Sequence, residues 1–137
     1  MKKIIIILLV LGVVGAFFGY TQYNKTHESL ESVKADQTMD AAGIYASYEN
    51  DETSANEKFN GKVVEVSGII QSVSTDESGL LKVTLDSEND FGGVICQMNK
   101  EKGYTESDFD EGSKVTLRGD CTGFLLDVVM IRCVKIE

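Results

Sequence analysis

Three groups of residues in this chain have types and spacings that suggest chemistry. The first is the set of cysteines, Cys96, Cys121 and Cys133. A disulfide needs Cα atoms within about 7 Å of each other. Cys121 shares the strand alternation of Val115 and Leu117, and Cys133 that of Val129 and Ile131. If both sets face inward, Cys121 and Cys133 can bridge. Three reduced, buried thiols, or another pairing, are the competing expectations. The spacings are not CxxC, and the single histidine, His27, lies far away in the chain. No metal site, no thiol with a general base, and hence no catalytic residue, no enzymatic activity and no cofactor are expected.

The second group is acidic. Asp86, Glu88 and Asp90 alternate ahead of Gly92, as at the start of a calcium loop. The sixth position is Phe91 where such a loop needs Gly, and the twelfth is Gln97 where it needs Glu. Weak divalent-cation binding is the functional reading, and a solvated acidic loop the bland one. The third group is Lys82, Thr84, Asp86 and Gln97, the outward positions of two consecutive strand-like runs. They make a ligand face if the chain folds as a small barrel. That face offers no aromatic ring for base stacking, which supplies about 1–3 kcal/mol per base.

These groups need a scaffold, and the β-rich run at residues 61–74, GKVVEVSGIIQSVS, begins it. Val64, Val66, Gly68 and Ile70 share one face. The central Gly68 lets a long first strand bend through two sheet layers. After a turn at 75–79, Leu81, Val83 and Leu85 alternate with Lys82, Thr84 and Asp86. A third strand is expected over 94–98, a polar insertion over 99–112, a fourth strand over 113–120, a turn around Cys121-Thr122-Gly123 and a fifth strand over 127–136. Five strands with an insertion between the third and fourth follow the order of the OB-fold, a five-stranded Greek-key barrel. The expected fold class is therefore mainly β.

Ahead of the barrel (61–137) lies a helical lead-in at 38–60. Ala41, Tyr45, Tyr48, Ala55 and Phe59 fall on one face, with Ile44 beside them. Thr38 or Asp40 can cap its start. Glu49-Asn50-Asp51 signals a turn, so two short helices are as well supported as one, the second opening on a Ser54–Glu57 capping box. Asn60-Gly61 closes the segment. The expected role is to cover one end of the barrel. Residues 21–37 are polar and read as a flexible tether carrying the triplet Asn24-Lys25-Thr26.

Residues 1–20 are different in kind. Lys2 and Lys3 precede an uncharged run from Ile4 to Tyr20. Seventeen helical residues span about 25 Å, against a hydrocarbon core of about 30 Å. Flanking lysines that snorkel at one end, and Tyr20 and Tyr23 at the other interface, suit a membrane-spanning helix. The reading is a single-pass anchor with a cytoplasmic N-terminus and an extracytoplasmic C-terminal domain. Cleavage as a signal peptide, giving a secreted or periplasmic protein, is the alternative. In an oxidising compartment disulfides persist, which is why the Cys121–Cys133 pairing is considered. The formal net charge is −9, with 22 acidic residues against 13 Lys and Arg. Such a surface disfavours phosphate backbones, so a protein or envelope component is the expected partner and nucleic acid the alternative.

A more specific pattern runs through the same residues. Tyr48-Glu49-Asn50-Asp51-Glu52, Phe59-Asn60-Gly61-Lys62 and Val66-Ser67-Gly68-Ile69-Ile70 lead the barrel. Gly112-Ser113-Lys114-Val115, Gly119-Asp120-Cys121-Thr122-Gly123 and Asp127-Val128-Val129 with Cys133 follow. From Met39 to the end, the chain resembles the bacterial tRNA_anti-like family of OB-folds, whose members are often anchored outside the cytoplasm. The resemblance implies the fold and a membrane-anchored, extracytoplasmic setting. The family name records a likeness to a tRNA-binding domain, and no ligand follows from it.

Overall fold

The structure is a computed structural model and describes residues 2–23 and 29–136. The triplet Asn24-Lys25-Thr26 and His27 lie outside the described residues. Helix α1 (Lys2–Tyr23) is apolar along its length and exposed throughout its described side chains. It is long and apolar enough to cross a membrane.

Five strands close the barrel: β2 (Val63–Thr75), β3 (Leu81–Leu85), β4 (Val94–Met98), β5 (Lys114–Leu125) and β6 (Asp127–Lys135). Neighbours run β2-β3-β4-β6-β5, and β5 returns to pair with β2. The parallel pairing is β4 with β6, and the other barrel pairs are antiparallel. This is the OB-fold. The long β2 serves two partners: residues 63–69 pair with β5, and residues 70–75 with β3. Gly68 sits just before the exchange. A Cβ there would lie 3.0 Å from Ala41 Cβ and 3.4 Å from Leu85 Cβ, so a missing side chain lets a helix start against the strand. The bulge itself falls one step on, between Ile70 and Ser72.

The expected alternation sets the core. Val64, Val66, Val83, Leu85 and Leu117 are fully buried, and Ile70, Leu81 and Val115 nearly so. Two helices close one end, α2 (Ala41–Asn50) and α3 (Glu52–Phe59). Asp40 caps α2, its Oδ1 accepting from Gly43 N at 2.7 Å. Asp51 caps α3 by accepting from Ser54 N at 3.1 Å. The Ser54–Glu57 capping box is thus replaced, because Asp51 already occupies the turn between the helices. Tyr48 stacks on Phe124 at 5.5 Å, and Tyr45 meets the same ring edge-on at 5.5 Å.

Four expectations need correction. A short strand, β1 (Gln37–Asp40), precedes α2 and pairs in parallel with residues 64–67 of β2. It covers the part of that edge which β3 leaves free. Residues 29–36, expected as loose tether, return to the barrel, where Leu30 is buried and Asp36 exchanges hydrogen bonds with Val63. The β5–β6 turn lies at Leu126, not at residues 121–123. There, Gly123 (φ +131) and a register shift make a bulge inside β5. Finally, β6 buries Val128 and Met130 rather than Val129 and Ile131. Arg132 (φ +53) then shifts the phase and turns Cys133 inward.

Candidate binding surface

The barrel wall is built from the outward residues of β3 and β4. Lys82 stands beside Gln97 and Thr84 beside Ile95, in register across the antiparallel pair. Ile95 in turn faces Val129 of β6. All are half-buried, because neighbouring side chains lean together on a twisted sheet. Lys82, Thr84 and Gln97 thus lie side by side on one outward surface, and strands β3 and β4 carry no aromatic residue. Asp86 does not join it. It begins the following loop and lines a separate cleft.

The wall's cations are neutralised within the protein. Lys82 Nζ lies 3.6 Å from Asp76 Oδ2. Asp76 is itself held in a turn, where the Ser78 hydroxyl and amide and the Leu80 amide donate to it and pull its carboxyl down to about 2. On β6, Arg132 binds Asp120 Oδ2 through Nε at 2.7 Å and Nη2 at 2.6 Å. On β5, Arg118 donates to Glu65 and to three backbone carbonyls, those of Leu30, Glu31 and Val33. By the alternation of its strand Arg118 is simply an outward residue. The three carbonyls lie on a segment more than 80 residues earlier, which no local pattern signals.

The separate cleft, of about 210 Å³, is lined by Asp40, Asp86, Glu88 and Lys114 with the backbone around Gly68. It is smaller than the about 300–1,000 Å³ of ordinary small-molecule sites. Asp40 Oδ1 is engaged by Gly43 N, and Asp86 Oδ1 accepts the Glu88 amide at 2.8 Å. Among the described residues, no three His, Cys, Asp or Glu converge as a metal ion would require. Asp86 and Asn89 fold the loop through Asx-type turns instead, Asn89 Oδ1 accepting the Phe91 amide at 2.9 Å.

All three cysteines are buried and free. Cys121 is paired with Met130, and Cys133 lies further along β6, so the Cys121–Cys133 bridge is not formed. The bulges at residues 121–123 and at Arg132 set that register. Burial raises the Cys133 thiol well above its ordinary range, and the adjacent Cys96 adds to it. Burial also raises Cys121, partly offset by the Tyr48 hydroxyl at 3.3 Å. Thiols held protonated in this way are poor nucleophiles.

One solved structure with the same fold is a lipoprotein of Klebsiella pneumoniae subsp. pneumoniae that carries a provisional nucleic-acid-binding name. It aligns at a TM-score of 0.59 and 15% identity, over 73% of this chain and 92% of the other. The Stn1–Ten1 complex of S. pombe aligns more loosely, at a TM-score of 0.41 and 16% identity, over 55% of this chain and 58% of that one. No curated protein matches the chain. The model of the tRNA_anti-like family matches residues 1–135. With its closed five-stranded barrel, the chain belongs to the tRNA_anti-like family of OB-folds.

Proposed function

We propose that this protein is a membrane-tethered, extracytoplasmic binding module without catalytic activity, and that its ligand is a protein or another envelope component. The observation that carries this reading is the internal pairing of the wall cations. Lys82 is held by Asp76 and Arg132 by Asp120, on a surface without stacking rings. Nucleic-acid binding draws on cations that exchange counterions for phosphate and on aromatic platforms. An apolar helix behind two lysines supports the tether and its orientation.

Single-stranded nucleic acid is the second reading, favoured by the fold and by the name of the Klebsiella lipoprotein. One experiment separates them. The full-length protein in neutral detergent is titrated into labelled single-stranded RNA and DNA at low salt, and the same protein is crosslinked in its own membrane. The protein-binding reading expects a protein adduct and no mobility shift. A shift that weakens steeply with salt would replace it with the second reading.

A further inference from the structure

Phe91 is 83% exposed, Leu125 84% and Leu126 74%. Among the described residues, the other exposed large hydrophobics belong to α1, apart from Ile69. Phe91 stands in the β3–β4 loop, and Leu125 and Leu126 form the tip of the β5–β6 hairpin.

The two loops are locked together. Tyr45 Oη donates to the Leu126 carbonyl at 3.1 Å. The Gly93 amide donates to Asp127 Oδ1 at 2.7 Å, and the Val128 amide to the Gly93 carbonyl at 3.0 Å. The backbones approach so closely that a Cβ on Gly92 would lie 2.3 Å from the Leu126 carbonyl oxygen. The Ser87 hydroxyl donates to the Gly92 carbonyl from inside the loop. Leu126 also sits at φ +67, where Gly or Asn would serve the turn better. Neither burial nor backbone geometry explains a leucine there. Rigid loops that hold apolar side chains in water are preorganised for association.

Charge selects the partner. Asp40, Asp86 and Glu88 line the adjoining cleft with Lys114, and Glu49, Asp90 and Asp127 lie in or against the two loops, six carboxylates to one cation. Glu49 is tied directly to the Phe91 loop, its Oε2 accepting from Asn89 Nδ2 at 3.2 Å. An anionic bilayer, a nucleic acid or a second copy of this chain would each bring like charge to that rim. A cationic protein segment brings the opposite charge. We propose that Phe91, Leu125 and Leu126 anchor a docking surface for a protein segment whose apolar residues are flanked by Lys and Arg. This inference rests on the binding-module reading and gives it a site and a partner class.

The test uses full-length protein carrying a photoactivatable amino acid at Leu125 or, in a second form, at Thr84 on the barrel wall. Each form is irradiated in its own membrane, and the adducts are sequenced. Leu125 adducts should map to an apolar segment flanked by Lys and Arg in another protein. Adding Phe91→Ser and Leu126→Ser should cut their yield about tenfold without lowering the melting temperature. In nanodiscs of neutral lipid, a synthetic leucine peptide flanked by lysines should bind about tenfold tighter than the same peptide flanked by glutamates, with the gap closing in about 0.5 M salt. Adducts at Thr84 alone would overturn this site and leave the binding-module reading standing. Adducts at neither position would end both. Leu125 adducts to lipid, nucleic acid or a second copy, or equal binding of the two peptides, would overturn the partner class.

Discussion

Arg118 donates to one oxygen of Glu65 twice, from Nε at 3.1 Å and from Nη2 at 2.7 Å. Both side chains are largely shielded, at 15% and 20% exposure. The remaining guanidinium nitrogen, Nη1, reaches the carbonyls of Leu30, Glu31 and Val33 at 3.0, 3.1 and 2.8 Å. One side chain thus ties the segment leading from α1 to the barrel wall. The fork geometry is particular to arginine. Arg118→Ala should destabilise the barrel by about 2–3 kcal/mol, since it leaves Glu65 unpaired and three carbonyls without their donor. Arg118→Lys should recover little of that. Hydrogen exchange at residues 29–36 should rise more than in the barrel strands. Equal protection in the variant and the parent would remove Arg118 from this role.

Tyr48 joins the helical cap to the strands. Its ring stacks on Phe124 and tilts against Phe59, and its hydroxyl lies 3.3 Å from Cys121 Sγ. Tyr48→Phe keeps the rings and removes a single weak polar contact, so it should cost about 0.5–1.5 kcal/mol. Tyr48→Ala removes a fully buried aromatic and should cost about 3–5 kcal/mol. Urea unfolding of the two variants measures both. A similar loss for each would mean that the hydroxyl, and not the ring, dominates.

The buried thiols give stability a pH dependence at the alkaline end. Burial raises Cys121, and it raises Cys133 well above the ordinary thiol range. In the unfolded chain these groups ionise at about pH 8.5, while the folded chain keeps their protons. The unfolded state therefore binds fewer protons above that pH. The contribution is fully present below the unfolded value and is lost as pH rises towards the folded value, at about 1.4 kcal/mol per pH unit for each thiol. The melting temperature should hold steady from about pH 7 to pH 8 and fall above about pH 8.5. Cys133→Ala should flatten the fall. A melting temperature indifferent to pH across that range would contradict the assigned environment.

The alternation of Leu81, Val83 and Leu85 and of Val115 and Leu117 is legible in the sequence because burial on one face of a strand imposes a period of two. Asp40 is legible as a cap because few side chains can satisfy a helix's first amides. The errors have a common cause. The phase of β6 slips at Arg132, whose φ of +53 nothing in the residue type announces. The hairpin turn falls on Leu126, while Gly123, which looks like the turn residue, makes a bulge. Arg118 reads as surface because its partners come from a distant segment. The apolar tip at Leu125-Leu126 was equally hidden, since two leucines after a strand look like more core. Local propensity carried the barrel, and tertiary register decided what its surface presents.

That register also decides the cysteines. Cys121 and Cys133 both face inward, as a bridge between them requires. The bulge between Cys121 and Gly123 leaves Cys121 opposite Met130, while Cys133 falls beside Met98 across the β4–β6 pair. Closing the Cys121–Cys133 bond would require β5 to slide three residues along β6, from Met130 to Cys133, undoing the pairings between them. The protein purified from an oxidising medium without reductant should accordingly show no reactive thiol when native and three when unfolded. The native silence follows from burial and the resulting loss of thiolate. One reactive thiol after unfolding would mean that a pair has closed, and mapping the linked peptides would show whether β5 or β4 had shifted to meet Cys133.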